Sequence, residues 1–369
     1  MAKEQKTMME TLQGEVCASW NKASSRLAAV LAVLIMVGLP LVFQDYYFNI
    51  LQVKYWYYCG VVIAAAVIYV IMAVIFWNRD RKWCDGALLK GLKSNLSLKS
   101  LTAAEWAMLA FLLASAISTL QSEYVYESFW GNEGRFVGLF MIILYTISFF
   151  IIARKLEFKK WYLDVFLGTG MIVCLIGILH YFEFDPIGFK NDLNYLDYVD
   201  FTSTIGNINT YTSYLALVVG VSTVLFTVEK EAKRKVWYTV CVVISLFALI
   251  TGISDNAYLT LLALLGLLPF VLFNSVRGVR NYVVILAIVC TEFIGIGFTV
   301  DKFPEHVLAI NGLFNVITDF KGLPVITVVL WILGTGLYFA ERNVLKNAKE
   351  SNLGRWIWLA VVIVVFLGL

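Results

Sequence analysis

The stretch that decides the fold is Tyr57-Tyr-Cys-Gly-Val-Val-Ile-Ala-Ala-Ala-Val-Ile-Tyr-Val-Ile-Met-Ala-Val-Ile-Phe-Trp77, which carries no charged side chain. A helix of this length, at about 1.5 Å per residue, crosses the roughly 30 Å hydrocarbon core of a bilayer. Arg79, Arg81 and Lys82 follow directly. This order predicts a membrane-spanning helix that ends in a basic loop.

Working outward, the same kind of run recurs along the whole chain of 369 residues, which is 60% hydrophobic and 15% charged. A soluble domain covers its core with a polar shell and needs far less apolar surface. We therefore predict an all-α fold, a polytopic transmembrane helical bundle of about 10–11 spans. The predicted spans are 25–44, 57–77, 103–121, 137–153, 162–182, 211–228, 237–252, 258–274, 282–300 and 324–341, with an eleventh from Ile357.

The lysines and arginines are distributed unequally between the two predicted sides of the membrane. Of the 29 lysines and arginines, 24 fall in the N-terminal tail and in alternate loops, which the positive-inside rule assigns to the cytoplasm together with the N-terminus. The net charge of +3 results from the excess of cations in these inner loops. It therefore gives no reason to expect a nucleic-acid partner. The five outer cations are Lys54, Arg135, Lys190, Lys302 and Lys321, so Arg135 is the single outer arginine.

The sequence shows no soluble appendage. We predict a cytoplasmic tail over 1–24 and a transmembrane domain over 25–369. Only 13 residues remain from Ile357 to Leu369, so we expect the last span to continue in a longer relative. The six cysteines show no disulfide framework and no metal-binding spacing.

The outer loop 122–136 contains Asn132, Glu133 and Arg135 among glycines at 131, 134 and 138. Glycines allow tight turns and close approach of a ligand, and arginine binds phosphate or carboxylate as a planar, charged fork. This loop predicts a site for an anionic ligand, with Glu133 as a candidate catalytic carboxyl. The alternative is an ordinary polar turn in which Arg135 pairs with Glu133 or Glu127.

The longest outer loop runs from Glu183 to Thr210. Lys190, Asn207, Asn209 and Tyr211 are candidate substrate-binding residues, because amides and hydroxyls suit hydrogen bonding to a sugar. The competing interpretation is that the asparagines cap the next helix. The aromatic residues here either stack on a ligand or anchor the chain at the membrane interface.

Two further outer residues are candidate catalytic groups. Asp255 lies in a short turn, and three roles are open for it: a general base, a partner for Arg135, or a helix cap, which is the usual role of an Asp just before an apolar helix. His306, in the loop 301–323, is a candidate proton carrier, although a lone histidine is more often incidental. Glu292 lies in mid-span, where a carboxyl is costly, and is a weaker candidate. No metal-binding constellation or nucleotide-binding motif is present.

Three of these segments resemble the O-antigen ligase and polymerase family of bacterial membrane glycosyltransferases, over roughly 104–275. The first runs from Ser118 through Phe129-Trp-Gly-Asn-Glu-Gly-Arg-Phe-Val-Gly138. The second is Phe201-Thr-Ser-Thr-Ile-Gly-Asn-Ile-Asn209 with Tyr214-Leu215. The third is Ser254-Asp-Asn-Ala-Tyr-Leu259.

The resemblance implies an enzyme of the bacterial plasma membrane that acts at the extracytoplasmic face. Its expected partners are a lipid-linked oligosaccharide donor on undecaprenyl diphosphate, a glycan acceptor and membrane lipid, and it needs no metal or other cofactor. Arg135 fits the diphosphate-binding role, and a loop histidine would activate the acceptor. The chain departs from the family at Asp255 or Asn256, where many ligases carry arginine, and His306 does not match the family's large catalytic loop.

A different class, a transporter or flippase of lipid-linked oligosaccharide, is the main alternative. Transporters are expected to show internal repeats, broken helices and several deep charges. Here only Glu292 is deep, prolines number five, and the polar residues gather at one predicted surface. These features favour a transferase.

Overall fold

The computed structural model describes residues 2–83, 98–132, 134–191, 193–343 and 351–368. These residues are predominantly helical, with a single pairing of two short strands, which confirms the predicted all-α, polytopic class. The chain divides into two compact units, Met1–Val165 and Phe166–Leu369.

In the first unit, the helices are α1 (Ala2–Val33), α2 (Ile50–Trp83), α3 (Ala103–Leu120), the short α4 (Val125–Trp130) and α5 (Leu139–Lys155). The predicted tail 1–24 is part of the same helix as the first span. A π-helical turn, Leu34–Gly38, and a short helical turn, Leu39–Leu41, extend α1. Small and branched side chains of α1, α2 and α5 form the core, including Ala28, Leu31, Val62, Met141 and Leu144.

Carbonyl groups at the end of this first helix receive donors from α2. The Tyr57 hydroxyl donates to Leu34 O at 2.9 Å. Lys54 Nζ donates to the carbonyls of Leu39, Pro40 and Val42 at 2.8, 3.1 and 3.0 Å. The last carbonyls of a helix lack intrahelical partners and carry partial negative charge. Lys54, one of the five outer cations, therefore closes a helix end.

The second unit contains most of α6 (Trp161–Tyr181), then α7 (Tyr195–Asp200), two paired segments, β1 (Phe201–Thr202) and β2 (Gly206–Asn207), and α8 (Ile208–Val228). It continues with α9 (Ala232–Ile250), α10 (Asn256–Leu272), α11 (Val276–Lys302), α12 (Leu313–Thr318), α13 (Leu323–Asn343) and α14 (Leu353–Gly368). Its core contains fully buried side chains such as Leu215, Tyr238, Leu246, Ile285 and Ile296.

Seven helices of the described residues are long and apolar enough to cross a membrane. The other four predicted spans coincide with Leu139–Lys155, Ala232–Ile250, Asn256–Leu272 and Leu353–Gly368. Three of these have fewer than 18 residues, and Ala232–Ile250 begins with Lys233, Arg234 and Lys235. The chain is therefore a multi-pass membrane protein. The seven spans are Gly14–Leu41, Ile50–Arg81, Ala103–Leu120, Trp161–Tyr181, Ile208–Val228, Val276–Lys302 and Leu323–Asn343.

Candidate functional site

In the first unit, the segment between α4 and α5 folds back on itself through glycines. Gly131 has a φ of +87° and Gly134 a φ of +88°, a region that side chains disfavour. A Cβ added at Gly138 would lie 2.4 Å from the Phe129 carbonyl oxygen and 2.5 Å from the Gly131 nitrogen. The two ends of the turn therefore meet backbone to backbone, which agrees with the predicted use of these glycines.

Arg135 lies at the tip of this turn. The backbone N–H groups of Arg135 and Phe136 both donate to the Asn132 carbonyl, at 3.2 and 3.0 Å. The side chains of Asn132 and Arg135 are exposed. The Arg135 guanidinium has no hydrogen-bond or ion-pair partner among the described residues of its unit, so the alternative pairing with Glu127 is absent. Glu133 lies outside the described residues.

Aromatic rings hold both sides of the tip. The Phe136 ring stacks on Tyr55, with centroids 4.7 Å apart, and Trp130 packs on Phe140 at 5.1 Å. Phe136 also has a φ of +51°, a left-handed conformation that is strained for a bulky residue. Such strain persists only where the surroundings impose it, and it is concentrated at ligand sites. The turn thus presents Arg135 from a fixed base.

A polar groove of about 680 Å³ lies at the end of α3 and the face of α4. Its polar lining comprises Ser118, Gln121, Ser122 and Ser128, and Ser128 Oγ donates to Ser122 Oγ at 2.8 Å. Hydroxyl and amide groups both donate and accept hydrogen bonds. This groove was not among the sequence-predicted sites, because isolated serines in a helix carry no distinctive pattern.

In the second unit, the Asn-rich segment forms a two-residue antiparallel ladder. Phe201 pairs with Asn207, and Thr202 pairs with Gly206. Two hydrogen bonds to α6 fix the turn between the strands. His180 Nδ1 accepts from the backbone N–H of Ser203 at 3.0 Å, and Ser203 Oγ donates to the Val173 carbonyl at 2.6 Å. His180 is buried and supports the turn.

The capping interpretation is confirmed for Asn207, whereas sugar binding by the asparagines stays a prediction. Asn207 Oδ1 accepts from the Asn209 backbone N–H at 3.0 Å, which is the predicted helix cap. Asn209 Oδ1 in turn accepts from Ser254 Oγ at 2.8 Å, and Asn256 Nδ2 lies 3.5 Å away. The second and third motifs are therefore in direct contact. Asn207 and Asn209 are exposed, so this polar cluster faces outward from the helix ends.

Asp255 lies between Ser254 and Asn256, at the N-cap position of α10. Its side chain is exposed and makes no capping hydrogen bond. Ser254 Oγ accepts the Asn256 N–H instead, at 3.3 Å. The expected cap is therefore supplied by serine, which leaves the Asp255 carboxylate accessible.

Lys190 was predicted to bind substrate, but it is only 3% exposed. Its Nζ donates to the Tyr198 carbonyl at 2.7 Å and lies 4.5 Å from the centroid of the Tyr198 ring. Burial lowers the pKa of Lys190 to about 8. Although burial opposes ionisation of the adjacent Asp185, the backbone N–H groups of Lys190, Phe189 and Gly188 hold its pKa below the ordinary value. Lys190 therefore orders the loop and is not available at the surface.

Tyr211, also predicted to contact substrate, is 1% exposed. Its ring packs on α6 where Gly177 leaves room, since a Cβ there would lie 2.0 Å from the Tyr211 hydroxyl oxygen. The sequence does not reveal this burial, because the residue lies on the helix face that meets a neighbour, and that face depends on tertiary packing. Tyr211 holds α8 against α6.

His306 lies in a 3₁₀ turn, Pro304–His306, and is exposed. The segment that follows it joins the rest of the unit, because the Leu308 backbone N–H donates to the Tyr181 carbonyl at 2.9 Å. Lys302 and Lys321 are exposed as well. His306 is thus accessible, as a proton carrier requires.

Comparison with known protein families, with curated proteins and with solved structures finds no match to this chain. The chemistry of the candidate site follows from its own residues. The first unit presents Arg135 and a hydroxyl-lined groove. The second presents an amide and hydroxyl cluster with an accessible carboxylate, Asp255. These groups suit an anionic ligand and a polyhydroxylated ligand, respectively.

Proposed function

We propose that the protein transfers a glycan from a polyprenyl-diphosphate carrier to an acceptor sugar, in a bacterial plasma membrane and at the face that the cation distribution predicts to be the outer one. The observation that carries the proposal is the exposed Arg135 guanidinium at the tip of a glycine-closed, aromatic-anchored turn. Arginine binds a diphosphate with two parallel hydrogen bonds. The resemblance of three sequence segments to the O-antigen ligase and polymerase family supports the same assignment.

The proposed reaction is a displacement at the anomeric carbon. The acceptor hydroxyl oxygen forms a bond to that carbon, the bond to the diphosphate oxygen breaks, and the diphosphate leaves with the electron pair. Arg135 stabilises the charge that develops on the leaving group. No metal or cofactor is required by this scheme, because the donor sugar is already activated.

The proton of the acceptor hydroxyl needs a base. Within the second unit, the first candidate is Asp255, whose carboxylate is exposed. The exposed amides of Asn207 and Asn209 would bind glycan hydroxyls. His306 is the second candidate for the base, since it is also exposed.

A transfer assay tests the proposal. Membranes are supplied with lipid-linked glycan on the outer side, and the extension or transfer of glycan is measured for the wild type, Arg135→Ala and Lys321→Gln. We expect Arg135→Ala to abolish transfer. Lys321→Gln, which removes another exposed outer cation, should retain it. Transfer unchanged in Arg135→Ala would remove the diphosphate-binding role.

A flippase is the second candidate, and one observation favours it. Glu292, in the spanning helix α11, is half-buried and has no hydrogen-bond partner among the described residues. A carboxyl at that depth is typical of transport pathways. The transfer assay separates the two functions, because substrate supplied on the outer side bypasses translocation. Glu292→Gln should leave transfer intact if the protein is a transferase.

A further inference from the structure

The first unit contains a second polar cavity, of about 790 Å³, between the middle of α1 and the basic segment that joins α5 to α6. Two segments distant in sequence line it, one in α1 around residues 21–29 and the other at 154–162, between α5 and α6. The lining includes Lys22, Arg26, Lys155 and Lys159, with Glu157 as the single carboxylate. The cavity is large enough for a small ligand.

Most of the cations in this cavity have no counter-ion among the residues that the structure describes. Arg154, which also lines it, is committed to Glu105 of α3 and to the Ser100 carbonyl. Lys155 Nζ lies 5.4 Å from the centroid of the Trp20 ring. Lys22, Arg26 and Lys159 have no ion-pair partner among the described residues. Four cations thus face one carboxylate, a formal excess of three positive charges.

The arrangement of the α1 cations is not the one that favours a helix. Lys22 and Arg26 are one turn apart and lie on the same face, where like charges destabilise a helix. Ser25 and Ala29 complete that face of the lining, without an acidic residue. The positive-inside rule accounts for cations on this side of the membrane, but it does not account for their convergence on one concave surface.

We propose that this cavity binds the phosphate group of an anionic phospholipid from the leaflet on the basic side. Basic pockets between transmembrane helices on that side suit phosphate headgroups. The apolar run of α1 begins at Leu27, directly after Arg26, and α5 ends at Lys155, so the cavity lies where the apolar segments end, near headgroup level. A soluble phosphoester offers the same chemistry, and the experiment distinguishes the two sources. The proposal does not depend on the transferase function.

Lipid binding to the purified full-length chain tests the proposal. Native mass spectrometry measures the Kd for phosphatidylglycerol and for phosphatidylcholine, and glycerol 3-phosphate is added as a soluble competitor. The test variant is Lys22→Gln/Arg26→Gln/Lys159→Gln. The matched control is Lys230→Gln/Lys233→Gln/Arg342→Gln, which removes two lysines and one arginine that are exposed on the second unit and lie outside the cavity.

We expect the wild type to bind phosphatidylglycerol at least tenfold more tightly than phosphatidylcholine. The test variant should lose roughly a hundredfold, because each cation near an anionic headgroup contributes about a factor of five. The control should stay within about twofold of the wild type. Competition by glycerol 3-phosphate at similar affinity would identify a soluble phosphoester as the ligand, and its failure to compete would identify the lipid.

Equal affinity of the wild type for the two lipids would overturn the proposal. An equal loss in the test and control variants would overturn it as well, because the binding would then reflect diffuse charge. If the triple variant does not fold, the single variants Lys22→Gln and Lys159→Gln give the same test. Each should weaken phosphatidylglycerol binding about fivefold, whereas Lys230→Gln should not.

Discussion

Replacing Gly138 by alanine tests whether the turn that carries Arg135 is held in one conformation. The φ of Gly138 is −117°, so alanine fits the local backbone, and the effect is purely steric. The new Cβ would lie 2.4 and 2.5 Å from backbone atoms of Phe129 and Gly131, where ordinary contact begins at 3.4 Å. The two ends of the turn must therefore separate by about 1 Å.

The expected cost follows from that displacement. Overpacking of this kind destabilises by about 1–3 kcal/mol, which lowers the unfolding temperature by roughly 2–4 °C per kcal/mol in a unit of this size. The hydrogen bonds from Arg135 N–H and Phe136 N–H to the Asn132 carbonyl should weaken with it. A shift of about 1 Å in a positioning group is also enough to reduce catalysis about a hundredfold.

Hydrogen exchange measured by mass spectrometry is the appropriate assay, because it reports on the amides of residues 131–138 directly. We expect faster exchange there in Gly138→Ala and no change in α2. Gly336→Ala is the matched control, since no atom lies within 4 Å of its added Cβ and the residue is helical. Unchanged exchange at 132–136 in Gly138→Ala, with an unchanged unfolding temperature, would refute the reasoning.

Three further predictions address the other polar contacts. Lys54→Met should lower the free energy of unfolding by about 2–3 kcal/mol in chemical denaturation, because three carbonyls lose a charged donor, whereas Lys302→Met should change it by less than about 0.5 kcal/mol. Asn209→Ala should weaken the binding of a soluble oligosaccharide, measured by calorimetry, because it removes an exposed amide and leaves the Ser254 hydroxyl without its hydrogen-bond acceptor. The control Ser351→Ala should leave oligosaccharide binding unchanged. The free energy of unfolding of the wild type, relative to that of Lys190→Met, should rise from pH 7 to pH 10 by up to about 3 kcal/mol in thermal melts. The reason is that the Lys190 amine has a pKa of about 8 in the native state, so the unfolded chain binds the proton more tightly and loses this advantage as the pH rises. A difference that stays flat or falls would contradict this assignment for Lys190.

The helical class and the position of the spans could be predicted because both depend on local quantities. Apolar run length and the alternation of basic loops are readable without tertiary contacts. The role of the glycines at 131, 134 and 138 was also predictable, since a positive φ or a close backbone approach leaves few other residue types. Asn207 as a helix cap belongs to the same group.

The hydrogen-bond partners and the exposure of long polar side chains could not be predicted from the sequence. Lys54, Lys190 and Arg135 are all predicted to lie outside, yet two of them donate to backbone carbonyls and only Arg135 stays exposed. Which of these occurs depends on carbonyls presented by segments far along the chain. The burial of Tyr211 and His180 was unpredictable for the same reason, because both contact partners on neighbouring segments.

Binding of a polyprenyl diphosphate tests the central claim most directly. Equilibrium affinity for undecaprenyl diphosphate is compared among the wild type, Arg135→Lys, Arg135→Ala and the control Lys321→Gln, with undecaprenol as the uncharged reference ligand. We predict that Arg135→Ala weakens diphosphate binding by about 10- to 100-fold. The affinity of Arg135→Lys should lie between those of Arg135→Ala and the wild type, because lysine keeps the charge but lacks the bidentate fork. The affinity for undecaprenol should be the same in all four proteins. Equal affinity of the wild type and Arg135→Ala for the diphosphate would contradict the account.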